Sequence, residues 1–153
     1  MNAVIKEKVR VDARHGISII DPRLVLALFS TKDAFPVNAV LLQAQAVRER
    51  RRLLTTDVVV FEVGAAFSRA AMRAVGAAIM NTLLHDPNIE VVPVSATHRD
   101  QAVELFTQPR DKDWSLCDCF SFVLMRERGL DKALAADHHF AQTGFEALLL
   151  QIP

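Results

Sequence analysis

The sequence has few cysteines and no surplus of charge. Its 2 cysteines, Cys117 and Cys119, stand two positions apart, so on a helix they face different directions and predict neither a disulfide nor a zinc site. Both are interpreted as small core residues. The 18 lysines and arginines match the 18 aspartates and glutamates. A chain without net charge has no overall field that attracts nucleic acid, so we expect any phosphate binding to be local.

Long apolar runs are also lacking. The longest stretch without a charged residue, 34–47, contains polar amides and is too short to span a bilayer. Residues 1–16 mix charged residues with isolated valines and lack the apolar segment of a secretory signal. We therefore expect no membrane helix and a cytoplasmic location.

Enough apolar sequence is present for one domain. A chain of 153 residues, 51% of them hydrophobic, can bury a core without a metal or a disulfide. No internal repeat or linker divides it. We expect an N-terminal extension over residues 1–15 and a single domain over residues 16–153.

Strand-like and helix-like segments alternate through this domain. Strands are predicted at residues 16–20, 53–55, 89–94, 130–136 and 145–150, and helices at residues 23–29, 33–47, 58–69, 70–84, 97–106 and 116–128, with a helical turn from His138. This alternation is typical of a mostly parallel sheet covered by helices on both faces, a three-layer α/β/α sandwich. In such sheets, ligands bind beyond the carboxyl ends of the strands.

One acid, Asp118, stands in a strongly apolar helix. Ser115 is predicted to cap this helix, which places Asp118 one turn in, among Leu116 and Phe120. A carboxylate that leaves water needs a cation, hydrogen-bond donors or a raised pKa, and a metal ion would serve. The alternative is that Asp118 points to solvent and complements the helix macrodipole. For Asp118 alone, that alternative is preferred.

Three further acids favour the metal-binding interpretation over the solvent-facing one. Asp21 and Asp137 each follow a predicted strand, and Glu62 lies inside an apolar helix. Asp21 and Asp137 are also suited to helix caps, and Glu62 to a solvent-facing stripe, so these interpretations stay open. If the four acids meet at one sheet edge, an oxygen-preferring cation such as Mg²⁺ relieves their repulsion. Such a site suits phosphodiester hydrolysis.

Four blocks of the sequence resemble PIN-domain proteins of the VapC-like toxin ribonuclease group, over nearly the whole chain from about Ile17 to Leu150. The blocks are Ile19-Ile20-Asp21 before an apolar helix, Leu54-Thr55-Thr56-Asp57 leading to Glu62, the segment from Arg110 to Phe122, and Asp137-His138-His139-Phe140 before Gly144-Phe145. The last two blocks are the most specific.

The resemblance implies a parallel-sheet α/β/α sandwich and an endoribonuclease that depends on Mg²⁺ or Mn²⁺. It also implies a cognate antitoxin, which makes the chain the toxin of a toxin–antitoxin pair, and it makes a homodimer plausible. The family's acidic positions, which are its catalytic and metal-binding positions, fall on Asp21, Glu62, Asp118 and Asp137.

The chain departs from the family pattern beside these acids. Pro22 and Arg23 stand where the family has small polar residues, and Cys117 and Ala136 stand where it commonly has Thr or Ser. Loss of these hydroxyls would weaken the support of a metal site. Arg23 either pairs with Asp21, taking over part of the metal's role, or points outward to a substrate phosphate.

Candidates to support the metal or contact the substrate are therefore Arg23, Asp113 and Ser115. The departures also motivate a second hypothesis, a PIN-fold binding module with weakened catalysis. A third, aspartyl phosphoryl transfer through Asp21, is disfavoured because Arg23 replaces the second acid that such a nucleophile needs.

For other features we prefer interpretations that involve no specific function. Trp114 is a candidate for base stacking, but we expect it to anchor its loop in the core. For His138 and His139 we expect packing and solvent exposure. The basic run 48–52 is interpreted as solvated charge rather than an RNA path. The small residues of 70–80 predict close helix packing, with a dimer face as the alternative.

Overall fold

The computed structural model describes residues 17–21, 52–108, 111–135 and 138–148. Each of the five predicted strands lies wholly or mostly within these ranges. The helices predicted at residues 23–29 and 33–47, the N-terminal extension and most of the basic run lie outside them.

Five strands and five α-helices alternate along the described chain, as the sequence predicts. They are β1 (Ile17–Ile20), β2 (Arg52–Thr56), α1 (Asp57–Ala66), a 3₁₀ turn (Ala70–Met72), α2 (Arg73–His85), β3 (Ile89–Val92), α3 (Ala96–Thr107), α4 (Leu116–Arg128), β4 (Lys132–Leu134), α5 (His138–Gln142) and β5 (Glu146–Ala147). No helix in these ranges is both long enough and apolar enough to cross a bilayer.

The strands form one parallel sheet with the order β3-β2-β1-β4-β5. The first strand lies at its centre, where Ile19 pairs with Leu54 of β2 on one side and with Ala133 of β4 on the other. Along the chain, β2 and β3 extend the sheet on one side of β1, and β4 and β5 then extend it on the other side. In sheets whose strand order reverses in this way, ligands usually bind beyond the carboxyl ends of the strands at the reversal, which here are β1 and β4.

Helices cover both faces of the sheet because neighbouring residues of each strand point to opposite faces. Ile19 belongs to a core formed with Phe122 of α4 and Phe140 of α5. Ile20 belongs to a second core formed with Val63 of α1 and Ile79 of α2. The predicted three-layer α/β/α sandwich is confirmed.

The ends of the helices follow the capping residues in the sequence. The Thr56 hydroxyl accepts a hydrogen bond from Val59 N at 3.3 Å and begins α1. Ser115 caps α4, and Gly129, at φ 64°, ends it in the left-handed conformation that glycine adopts most readily. Thr56 and Ser115 thus fix the first turns of α1 and α4, and the first turn of α1 directly follows the carboxyl end of β2.

Close packing explains one of the small residues of α2. A Cβ atom on Gly76 would lie 2.6 Å from the Cβ of Phe67, just after α1. The packing interpretation is therefore confirmed at this position. A dimer face on this helix stays a prediction.

Candidate active site

Asp21 directly follows the central strand. Its side chain is buried, at 0% exposure, and its backbone N–H donates to the Leu134 carbonyl at 3.3 Å. That hydrogen bond continues the pairing of β1 with β4, so Asp21 lies at the point where the order of the strands reverses.

Asp118 lies in the first turn of α4 and is 4% exposed. Its Oδ2 accepts hydrogen bonds from Ser115 N at 3.0 Å and from His139 Nδ1 at 2.9 Å. Its own N–H donates to the Ser115 hydroxyl at 3.0 Å, which completes a capping box. The solvent-facing interpretation of Asp118 is therefore wrong, because the side chain caps the helix while it is buried.

Glu62 lies on the outer side of α1. It is exposed, whereas Val59, Val60 and Val63 of the same helix are buried. The solvent-facing interpretation is thus correct about its exposure. Its carboxylate nevertheless accepts a hydrogen bond from the Cys117 thiol of α4, which places Glu62 at the rim of the same region as Asp118.

Cys117 shows that three of the four predicted acids converge. Burial raises the pKa of its thiol well above the usual range, and the charge and hydrogen bond of Glu62 and the charges of Asp21 and Asp118 raise the pKa further. The thiol therefore stays neutral and acts as a hydrogen-bond donor. Asp21, Glu62 and Asp118 therefore all lie near enough to this one side chain to raise its pKa.

The fourth acid, Asp137, lies outside the described residues, as do Pro22, Arg23 and Ala136. The role of Asp137 and the two alternatives for Arg23 stay predictions. So do the catalytic and metal-binding roles of the three acids that the structure brings together.

The chemistry of these side chains fits a hard divalent cation. Asp21 and Asp118 are buried carboxylates that both act on the Cys117 thiol, and a cation would relieve the repulsion between them. Oxygen ligands of this kind suit Mg²⁺ or Mn²⁺. Within the described ranges, no three His, Cys, Asp or Glu side chains are already arranged as a metal site.

Two other predicted residues of this region have simpler roles. Asp113 is exposed, and Ser115, although exposed, caps α4. Trp114 is buried and its Nε1 donates to Gln142 Oε1 at 3.0 Å, while its ring packs edge-on against Phe122 at 5.3 Å. The anchoring interpretation of Trp114 is confirmed, and its exposure to RNA bases is excluded.

Sequence reasoning missed His139. His138 is exposed, as expected, but His139 is partly buried against Asp118 rather than simply packed or solvated. The available signal was the block Asp137-His138-His139-Phe140, in which histidines open a helical turn directly after a predicted site acid.

Comparisons with known proteins agree with the fold. Residues 19–146 match the family model of the PIN domain. The chain is similar to the crystal structure of Mycobacterium tuberculosis VapC20, a sarcin-ricin loop cleaving toxin, with a TM-score of 0.74 and 26% sequence identity over 84% of this chain and 95% of that chain. A search of curated proteins found no match.

Proposed function

The chain belongs to the PIN-domain family, and we propose that it is a divalent-metal-dependent endoribonuclease and the toxin of a toxin–antitoxin pair. One observation carries the proposal. The buried carboxylates of Asp21 and Asp118 and the exposed carboxylate of Glu62 all lie near enough to Cys117 to raise the pKa of its thiol. Acids in this position need a cation, and a cation held there by carboxylates suits phosphodiester hydrolysis.

Asp21, Asp118, Glu62 and Asp137 would hold Mg²⁺ or Mn²⁺. When bound, such an ion lowers the pKa of an attacking water and offsets charge on the scissile phosphate. The chain fixes Asp21 at the end of β1 and Asp118 in the first turn of α4, so rigid elements place both carboxylates.

Glu62 and Cys117 have distinct parts in this proposal. The exposed Glu62 carboxylate accepts a hydrogen bond from an incoming water and orients it. The Cys117 thiol donates to Glu62 and limits its rotation. Because the thiol is neutral, it adds no negative charge that would repel a phosphate.

RNA loops are the substrate class that we propose to test first. VapC20 cleaves the sarcin-ricin loop according to its structural description, and a compact loop needs only a short local contact. Equal numbers of basic and acidic residues in this chain agree with such local recognition rather than with binding along a duplex. A small antitoxin, a homodimer and a cytoplasmic location belong to the same proposal.

A PIN-fold binding module without catalysis is the second candidate. It is favoured by Pro22 and Arg23 beside Asp21, and by Cys117 in place of the family's hydroxyl residue. Such a module would bind RNA or a protein partner without a divalent cation.

Cleavage of a short RNA containing the sarcin-ricin loop tests the nuclease proposal. We expect wild-type protein to cut this RNA with Mg²⁺ or Mn²⁺, to stop when a chelator is added, and to resume when the cation is restored. An unstructured RNA of equal length is the control for loop preference. Cleavage that persists unchanged in chelator contradicts the metal-dependent mechanism, and binding of the loop RNA without cleavage favours the second candidate.

A further inference from the structure

His139 joins two helices at the candidate site. It lies in α5, and its Nδ1 is 2.9 Å from Asp118 Oδ2 of α4. The next residue, Phe140, is fully buried and packs edge-on against Phe122 of α4 at a ring-centroid distance of 5.0 Å. This packing holds the short helix α5 in place, so the imidazole has a fixed position relative to Asp118.

Both hydrogen bonds to the Asp118 carboxylate end on the same oxygen. Ser115 N and His139 Nδ1 both contact Oδ2, and within the described ranges no donor contacts Oδ1. Two donors on one oxygen prevent the carboxylate from rotating about its Cβ–Cγ bond. Oδ1 therefore keeps one direction, and its lone pairs are left for a different partner.

The carboxylate also determines the tautomer of the histidine. A carboxylate only accepts hydrogen bonds, so Nδ1 has to carry the hydrogen that it donates to Oδ2. Such hydrogen bonds to metal-binding side chains orient them toward the metal.

We propose that His139 is a positioning residue that, by donating from Nδ1 to Asp118 Oδ2, holds Asp118 Oδ1 toward the divalent cation. This inference rests on the proposed function in one respect, the binding of a divalent cation. It does not require that the protein cleave RNA. Loss of a hydrogen-bond partner of this kind typically costs 10–100-fold in metal affinity or activity.

Substitutions at position 139 distinguish the hydrogen bond that Nδ1 donates from other effects of the imidazole ring. His139→Asn places an amide N–H near the position of Nδ1, whereas His139→Gln places it near Nε2. We expect Mn²⁺ affinity to fall about 10–100-fold in His139→Ala and similarly in His139→Gln, and to stay close to wild type in His139→Asn. The neighbouring exposed residue provides the control, since His138→Ala should bind Mn²⁺ like wild type.

Calorimetric Mn²⁺ titration at one mildly alkaline pH measures these affinities, with circular dichroism to verify that each variant is folded. The inference is overturned if wild type binds no Mn²⁺, if His139→Ala binds it as tightly as wild type, or if His139→Asn is as weak as His139→Ala. RNA cleavage is measured separately on the same proteins. The expected affinity pattern in a protein that cleaves no RNA supports the positioning role and contradicts the nuclease proposal.

Discussion

Asp118→Asn is expected to lower RNA cleavage by more than about 100-fold while the protein stays folded. The magnitude follows from the proposed role of Asp118 as a metal ligand, because losing only a hydrogen-bond partner of such a ligand already costs about 10–100-fold. The substituted amide keeps one oxygen but loses the negative charge that attracts the cation. Asp118 is buried at 4% exposure, so solvent does not replace the lost interaction.

The fold should tolerate this substitution. The amide oxygen of Asn can still accept from Ser115 N and His139 Nδ1, the two donors that now share Asp118 Oδ2. Loss of a charge at a helix N-terminus costs about 0.3–1 kcal/mol, and weaker repulsion from Asp21 offsets part of that cost. A change in activity would therefore not arise from unfolding.

The matched control is Asp111→Asn, which removes an acid from the exposed segment that precedes the same helix. The Asp111 side chain is 87% exposed and pairs with Lys112 at 3.6 Å, so this variant should cleave RNA like wild type. Initial rates on the loop RNA are measured in the presence of Mn²⁺. Equal rates for Asp118→Asn and wild type would remove Asp118 from the catalytic site.

Phe122→Ala is expected to destabilise the protein by about 3–5 kcal/mol, the usual cost of truncating a buried phenylalanine. Phe122 is 0% exposed. Its ring meets Trp114 at 5.3 Å, Phe140 at 5.0 Å and Phe145 at 6.1 Å. A single truncation therefore opens a cavity among three aromatic rings, and the loss is a large part of the roughly 5–15 kcal/mol that stabilises an ordinary domain.

Urea denaturation followed by circular dichroism measures this loss. Phe106→Ala is the matched control, because Phe106 lies on α3 and is 52% exposed, so its removal should change the free energy of unfolding by about 0.5 kcal/mol or less. A loss below about 1 kcal/mol in Phe122→Ala would contradict the central role of this aromatic cluster. Because Phe140 packs on Phe122, the variant should also loosen α5 and with it His139.

The fold was predictable because its signals are local. Strand-like segments rich in Ile, Leu and Val alternate with capped helices, and Thr56, Ser115 and Gly129 mark helix ends that the structure reproduces. Four of the five strands are shorter than predicted, whereas β2, at Arg52–Thr56, is longer than the predicted range 53–55. For example, β4 covers Lys132–Leu134 within the predicted range 130–136, since apolar residues continue beyond the paired backbone.

The site was predictable only in part, because side-chain contacts between distant elements leave little trace in sequence. The sequence favours a solvent-facing Asp118 when that residue is considered alone, yet Asp118 is buried. Apolar neighbours suggest burial for Glu62, yet Glu62 is exposed because it occupies the outer side of α1. The contact between His139 and Asp118 spans 21 positions and depends on how α5 packs against α4. No local pattern encodes that packing.

Cys117 is the one described residue among the sequence's departures from the family pattern that it resembles. In place of a hydroxyl, the chain has a thiol whose pKa is raised by burial and by the surrounding acids. The neutral thiol keeps a hydrogen bond to Glu62, although it is a weaker donor than a hydroxyl. We therefore expect Cys117 to support the proposed site more weakly than a hydroxyl would.

A calorimetric titration of metal-free wild-type protein with Mn²⁺, repeated with Asp21→Asn, decides whether buried carboxylates at the carboxyl edge of the sheet hold a divalent cation. We predict saturable Mn²⁺ binding by wild type and its loss in folded Asp21→Asn, because Asp21 is a buried carboxylate directly after the carboxyl end of β1. Absence of binding by folded wild type, or equal binding by both proteins, would contradict a metal site at this edge and the RNA hydrolysis that depends on it.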